Sequence, residues 1–91
     1  MTEPLRVLVV DDEAAARDEL RHLLARIAGV APPDLTETAA GALASIGKRD
    51  YDVVFLDIRM PGMSGLEALP LIQRHSSETA VVFVTAYDEH A

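Results

Sequence analysis

Residues 53–65 read VVFLDIRMPGMSG, and this stretch combines a short apolar run, an aspartate and a turn. Four consecutive apolar residues are typical of a strand that is covered on both faces in a parallel sheet. The run stops at Asp57, and the turn Met60-Pro61-Gly62 follows shortly after it. A carboxylate directly after a buried strand contributes little to packing, so Asp57 is the first candidate for a functional residue.

Two further apolar runs lie on either side of this stretch. Residues 5–10 read LRVLVV and end at the acidic pair Asp11 and Asp12, whereas residues 81–84 read VVFV and end at Thr85. Strands that alternate with helical segments indicate an α/β fold, in which a parallel sheet carries helices on both faces.

Three segments between the runs are predicted to be helices, and a weak strand precedes the second. Thr38 is the expected cap of the second helix, and Gly47 is its expected end. Ser64 and Glu67 form a capping-box pattern that opens the third helix, in which Pro70 should cause a kink or remove a hydrogen bond. The approximate helix ranges are 13–26, 38–46 and 64 onward, and the weak strand covers 35–37. The third helix is expected to have one apolar face, made by Leu66, Leu69 and Ile72.

The 91 residues carry a formal net charge of −7 and contain no cysteine. An acidic surface repels the phosphates of nucleic acids and disfavours an anionic membrane, so neither is an expected partner of this segment. No apolar run approaches the roughly 20 residues that span a bilayer, and residues 1–6 do not resemble an export signal. We therefore expect one cytoplasmic domain without disulfide bonds or thiolate metal sites.

The ends of the strands define the candidate site, because ligands of open parallel sheets bind at the carboxyl ends of the strands. If the first, third and fourth strands are neighbours, Asp11, Asp12 and Asp57 converge there with the hydroxyl of Thr85. Three close carboxylates repel one another, and a divalent cation relieves this repulsion. Oxygen ligands of this kind favour Mg²⁺, which Mn²⁺ could replace.

Ordinary structural roles are also open to three of these residues. Asp12 could cap the first helix, Asp11 could be a loop carboxylate, and Thr85 could simply end a strand. A metal-dependent phosphohydrolase with Asp57 as its nucleophile is a further alternative. Phosphohydrolases of the haloacid dehalogenase type have a D-x-D pattern at the end of the first strand, and this sequence has that pattern at neither strand end.

Three stretches of the sequence resemble the receiver domains of bacterial response regulators. They are VLVVDDE at 7–13, VVFLDIRMPGMSG at 53–65 and VVFVTA at 81–86. The resemblance runs across essentially the whole chain. It implies a flavodoxin-like α/β fold and a role in two-component signalling, in which the domain is a phosphoacceptor and not an enzyme.

The resemblance also implies roles for the residues at the strand ends. Asp57 is implied to accept a phosphoryl group from a phosphohistidine on a sensor histidine kinase. Asp11, Asp12 and Asp57 are implied to hold Mg²⁺ together with the backbone carbonyl of Arg59.

Two residues after the last apolar run are implied to act on the phosphoryl group. Thr85 is the implied switch residue that donates a hydrogen bond to the phosphate, and Ala86 leaves room beside it. Arg59 and Tyr87 flank the site and are implied to tune the lifetime of the phosphate.

A complete receiver domain continues with a fifth strand, further helices and a lysine that pairs with the phosphoryl group. The single lysine here is Lys48, near the second helix, so we expect residues 1–91 to be a C-terminally incomplete receiver domain. A receiver-like interaction module or fragment that does not switch is the alternative function. The fourth strand is then an exposed edge, so we expect that the chain either self-associates through this edge or is cut from a longer protein.

The last residues, YDEHA at 87–91, resemble those of receivers that are attached to LytTR-type DNA-binding domains. This weaker resemblance implies a transcription regulator whose effector domain lies beyond this chain.

Overall fold

Four strands and three helices alternate along residues 3–84, the part of the chain that this computed structural model describes. The strands are β1 (Val7–Val10), β2 (Asp34–Thr36), β3 (Val53–Asp57) and β4 (Ala80–Val84). The helices are α1 (Ala14–Leu24), α2 (Ala39–Lys48) and α3 (Gly65–His75). The predicted α/β fold is confirmed, and no helix within residues 3–84 is long and apolar enough to cross a membrane.

The sheet is parallel throughout and has the strand order β2-β1-β3-β4. β1 therefore lies between β2 and β3, and a crevice forms at the carboxyl ends of strands where the order reverses in this way. The register pairs Val10 with Leu56 and Asp57 with Val84. Asp11, the residue after β1, thus follows at the level of Asp57, the last residue of β3.

Both faces of the sheet are covered at β1, which explains why every residue of this strand is apolar and buried. On one face α1 packs against the sheet, and Leu24 joins Val9 in a small cluster. On the other face α2 and α3 cover a larger cluster that includes Leu56 and Ile72. Burial of each such side chain contributes roughly 1.5–3 kcal/mol, so this core holds the carboxyl ends of β1 and β3 in place.

α1 ends at Leu24, earlier than the sequence predicts. The amides of Arg26 and Ile27 bond to carbonyls three residues back, so the helix tightens into turns after its last regular bond. The turns lead to Gly29, whose φ of +83° glycine adopts without strain.

α2 continues through Gly47 and ends at Lys48, so the expectation that Gly47 ends the helix was wrong. A glycine costs a helix only about 1 kcal/mol. The helix ends where Arg49 takes an extended conformation, φ −142° and ψ 151°, and the chain turns toward β3. The predicted cap is present, because Thr38 accepts a hydrogen bond from the amide of Gly41 at 3.0 Å.

α3 begins with the predicted capping box, but its buried face differs from the predicted one. Ile72 is fully buried and Leu69 is half-buried, whereas Leu66 is 58% exposed. The other buried residues of α3 are Gly65 and Ala68. Small residues face the sheet here because α3 starts directly against the end of β3.

Candidate functional site

Three carboxylates meet at the carboxyl edge of the sheet. Asp11 and Asp12 follow β1 and Asp57 ends β3. One carboxylate oxygen from each residue lies within 4.8 Å of the other two. Asp11 and Asp57 are half-buried, and Asp12 is exposed to solvent.

Hydrogen bonds of the backbone explain why Asp11 lies at the carboxyl edge of the sheet. The amide of Asp11 donates to the carbonyl of Thr36 at 3.1 Å, so the chain still follows β2 after β1 itself has ended. The carboxylate of Asp11 then accepts a bond from the amide of Glu13 at 2.9 Å and closes the turn into α1. The N-cap of α1 is Glu13, and the structure gives Asp12 no capping bond.

Asp57 has a similar turn after it, in which its Oδ1 accepts a hydrogen bond from the amide of Arg59 at 3.2 Å. Burial raises the pKa of the Asp57 carboxyl above its usual value. The Arg59 amide opposes this rise in pKa, while the charges of Asp11 and Asp12 add to it. Negative charge is therefore concentrated at the carboxyl edge of the sheet. In the part of the chain that the structure describes, none of the groups that shift the pKa of Asp57 is positively charged.

The donor set fits a hard divalent cation. Three carboxylate oxygens at this spacing can reach a single ion, and hard ions such as Mg²⁺ prefer oxygen ligands and retain several waters. A bound dication would compensate the mutual repulsion of the three carboxylates.

Gly65 lies against the backbone of Asp57, a role that was not predicted from the sequence. Its amide donates to the carbonyl of Ile58 at 2.9 Å. A Cβ added at Gly65 would run into the backbone carbonyl of Asp57. The first residue of α3 must therefore be small so that Asp57 can keep its position, and the only sequence signal is that Gly65 follows the cap residue Ser64.

Arg17, in the first turns of α1, was also missed. Its Nη1 atom donates a hydrogen bond to the backbone carbonyl of Asp11 at 2.8 Å. A sequence signal did exist, since an arginine one turn into a helix can reach back to the acidic pair that precedes the helix.

The remaining predicted residues are placed as follows. Arg59 is exposed and lies in the turn after β3. Thr85, Ala86 and Tyr87 lie outside the described residues.

The family comparison agrees with this fold. The family model of the response regulator receiver domain matches residues 7–91. The chain belongs to the response regulator receiver domain family. This receiver domain has the expected flavodoxin-like arrangement, because receiver domains of known structure superimpose on it over nearly its whole length.

Relatives of this receiver domain include two regulators of the LytT and LytR type. The sensory transduction protein LytT of Bacillus anthracis is 41% identical over 87 residues, which cover 96% of this chain and 35% of the relative. The transcriptional regulatory protein LytR of Staphylococcus aureus is 33% identical, with the same coverage of 96% and 35%. The receiver domain thus spans about a third of the length of these relatives.

Among solved structures, the response regulator TrrA of Thermotoga maritima is similar to this receiver domain. In its complex with Mg²⁺ and BeF it is 36% identical, with a TM-score of 0.83 over 94% of this chain and 73% of TrrA. TrrA has also been solved in complex with the histidine kinase ThkA, where the TM-score is 0.81 over 94% of this chain and 72% of TrrA.

Proposed function

We propose that Asp57 accepts a phosphoryl group from a phosphohistidine of a sensor histidine kinase. The observation that carries this proposal is the half-buried position of Asp57 beside Asp11 and Asp12. A carboxylate oxygen of Asp57 forms the new O–P bond, the P–N bond breaks, and its electron pair returns to the imidazole nitrogen. The aspartyl phosphate is the signal, so the domain acts as a switch and not as an enzyme that turns over a separate substrate.

Asp11, Asp12 and Asp57, with the backbone carbonyl of Arg59, would hold Mg²⁺ in this proposal. When bound, the ion neutralises charge on the transferring phosphoryl group. Asp11 and Asp12 lie beside the acceptor carboxylate of Asp57, and the three carboxylates together concentrate the negative charge that binds the cation. The complex of the similar protein TrrA with Mg²⁺ and BeF supports this assignment.

Thr85 and Ala86 complete the proposed switch. The threonine hydroxyl would donate a hydrogen bond to the phosphoryl group, and the small alanine would leave space for it. Residues 1–91 would form one receiver domain in the cytoplasm that controls a DNA-binding effector domain elsewhere in a longer protein, as the name of the relative LytR supports.

An apolar surface beside Asp57 supports a protein partner. Leu66 is 58% exposed and Met63 is 36% exposed, and both lie between β3 and the first turn of α3. Exposed apolar side chains of this size beside a reactive carboxylate are suited to contact with another protein. We assign this surface to the kinase, and the ThkA–TrrA complex supports this choice.

Intact mass spectrometry tests the proposal directly. The chain is incubated with phosphoramidate and Mg²⁺, beside Asp57→Asn and the matched control Asp50→Asn, whose carboxyl is exposed. We expect one added phosphoryl group on the parent chain and on the control, and none on Asp57→Asn. Equal phosphorylation of Asp57→Asn would overturn the assignment.

One observation favours a second function, an interaction module that keeps the fold without switching. Lys48, the single lysine of the sequence, ends α2 beside Tyr51 and Asp34, which lie at the amino ends of the strands. It therefore lies at the opposite edge of the sheet from Asp57. Lys48 cannot be the lysine that pairs with the phosphoryl group in a complete receiver domain. A folded chain that binds Mg²⁺ but gains no phosphoryl group would support this second function.

Self-association through β4 is also part of the proposal. Within residues 3–84 β4 pairs only with β3, and its Val82 is 43% exposed, which suits pairing of this strand with a second chain. We expect an apparent mass in sedimentation that rises with concentration. A monomer at every concentration would refute pairing through this edge.

A further inference from the structure

Arg17 contacts the backbone of the candidate metal site, although it is not one of the proposed metal ligands. It lies in the first turns of α1, and its side chain is only 20% exposed. Its Nη1 atom donates to the backbone carbonyl of Asp11 at 2.8 Å. A half-buried guanidinium that bonds to a carbonyl makes a strong, charge-assisted hydrogen bond.

Three hydrogen bonds therefore fix the position of Asp11. Its amide donates to the carbonyl of Thr36, its Oδ1 accepts from the amide of Glu13, and its own carbonyl accepts from Arg17. The first two bonds belong to the sheet and to the turn into α1. The bond from Arg17 is the one that links the backbone of Asp11 to a side chain within α1.

Arg17 also approaches the loop after β2. The same Nη1 atom lies 4.0 Å from a carboxylate oxygen of Glu37, whose side chain is 70% exposed. An ion pair this long and this exposed contributes little. The carbonyl of Asp11 is therefore the contact through which Arg17 acts.

We propose that Arg17 is a positioning residue that fixes Asp11 for cation binding. The inference rests on the proposed function, because it concerns the same metal site. The carboxylates of Asp11, Asp12 and Asp57 repel one another, and the turn after β1 can relax outward unless its backbone is restrained. Arg17 restrains it, so the oxygen of Asp11 stays within reach of the ion that the other two carboxylates bind.

The test is the Mg²⁺ dissociation constant of the unphosphorylated chain, measured by calorimetric titration. Groups that hold metal ligands in place are worth about 10- to 100-fold in metal affinity, so Arg17→Met should weaken binding by about 10-fold. Arg21→Met is the matched control, because Arg21 lies one turn later on α1 and contacts the exposed side chains of Asp18 and His22. Glu37→Gln tests the long ion pair, and both controls should bind Mg²⁺ as the parent chain does.

A second measurement separates positioning from simple loss of stability. The Mg²⁺ concentration that half-saturates phosphorylation by phosphoramidate should rise in Arg17→Met by the same factor as the dissociation constant. The rate at saturating Mg²⁺ should equal that of the parent chain. A lower melting temperature with unchanged Mg²⁺ affinity would overturn the proposal, since Arg17 would then be merely structural.

Two further variants keep every outcome informative. If Arg17→Met does not fold, Arg17→Lys keeps the charge and the apolar stem but is one bond shorter, and it should still bind Mg²⁺ more weakly. Parent-like affinity in Arg17→Lys would refute the positioning role. If the double variant Asp11→Asn/Asp12→Asn binds Mg²⁺ normally, the metal site itself is wrong. If the double variant does not bind Mg²⁺ and Arg17→Met binds it with the affinity of the parent chain, only this inference fails.

Discussion

Tyr51 shows how a single side chain joins two strands at the amino edge of the sheet. Its hydroxyl donates to Oδ2 of Asp34 at 2.6 Å, and Asp34 also accepts from Arg49 at 3.3 Å. Tyr51 comes just before β3 and Asp34 begins β2, and β1 lies between these two strands, so this bond spans the amino end of β1. Burial of the Tyr51 phenol, together with its bond to Asp34, raises its pKa to about 12.

The raised pKa of Tyr51 predicts a loss of stability at high pH. The unfolded chain has the ordinary pKa of 10.0 and releases this proton first, so stability falls as the pH rises toward about 12. We expect Tyr51→Phe to lose about 1 kcal/mol near neutral pH and to show a smaller further loss above pH 10. Urea unfolding at several pH values measures this, and parallel curves for the two proteins would contradict it.

Gly65 offers a second prediction for a single residue. An added methyl group meets the backbone carbonyl of Asp57, and overpacking of this kind costs about 1–3 kcal/mol. Gly65→Ala should therefore lower the free energy of unfolding and slow phosphorylation of Asp57.

The matched control for Gly65 is Gly47→Ala. The space around Gly47 is open, so this change should stabilise α2 by roughly 0.5–1 kcal/mol. If Gly65→Ala were as stable as the parent chain, the close approach of α3 to β3 would not restrict this position.

At the scale of elements, α3 contains a local conflict between its cap and its interior. Ser64 and Glu67 exchange hydrogen bonds of 3.2 Å in the capping box. Pro70 lies within the same helix, and it cannot donate an amide to the carbonyl of Leu66, four residues before it. The helix forms because its cap and the buried Ile72 outweigh this lost bond.

Pro70→Ala should therefore stabilise the chain. Pro70 is exposed, so its removal loses no core packing, and the new amide can bond to Leu66. We expect a gain of about 1–3 kcal/mol in urea unfolding. Gln73→Ala on an exposed position of the same helix should change stability by less than about 0.5 kcal/mol, and an equally small effect of Pro70→Ala would show that the proline costs this helix nothing.

The sequence predicted the elements better than it predicted their contacts. The apolar runs that became β1 and β3 were identified because burial on both faces makes such strands continuously apolar. The run that became β4 was identified by the same pattern, although none of its residues is fully buried. The convergence of Asp11 and Asp57 followed from strand order alone. Leu66 was placed on the wrong face, because spacing within a helix cannot show that small residues must face the sheet where the helix starts. Arg17 was missed because its partner is a backbone carbonyl: an arginine one turn into the helix hints at a link to the preceding acidic pair, but not at a bond to the backbone.

At the scale of the whole molecule, cation binding should appear as thermal stability. A ligand that binds only the folded state stabilises it by about 2.7 kcal/mol at 100 times its dissociation constant. Mg²⁺ should therefore raise the melting temperature of the chain, as measured by calorimetry.

The double variant Asp11→Asn/Asp12→Asn should lose this response. Without Mg²⁺ it should also melt above the parent chain, because the repulsion around Asp57 is reduced. The control Asp50→Asn/Glu78→Gln makes the same change in net charge on exposed residues and should respond to Mg²⁺ as the parent does. An equal response of all three proteins would place the cation elsewhere.

The parallel register of β3 has a consequence for how the chain can change in length. Val54 and Leu56 face the cluster under α2 and α3, while Val53 and Phe55 face the side of α1. One inserted residue in β3 would turn Asp57 to the other face of the sheet, since side chains alternate along a strand. Two inserted residues would restore the face but lift the carboxylate by about 6–7 Å, beyond the reach of Asp11. The number of residues in β3 is therefore fixed by the position of Asp57, whereas the apolar residues within the strand can be exchanged for one another.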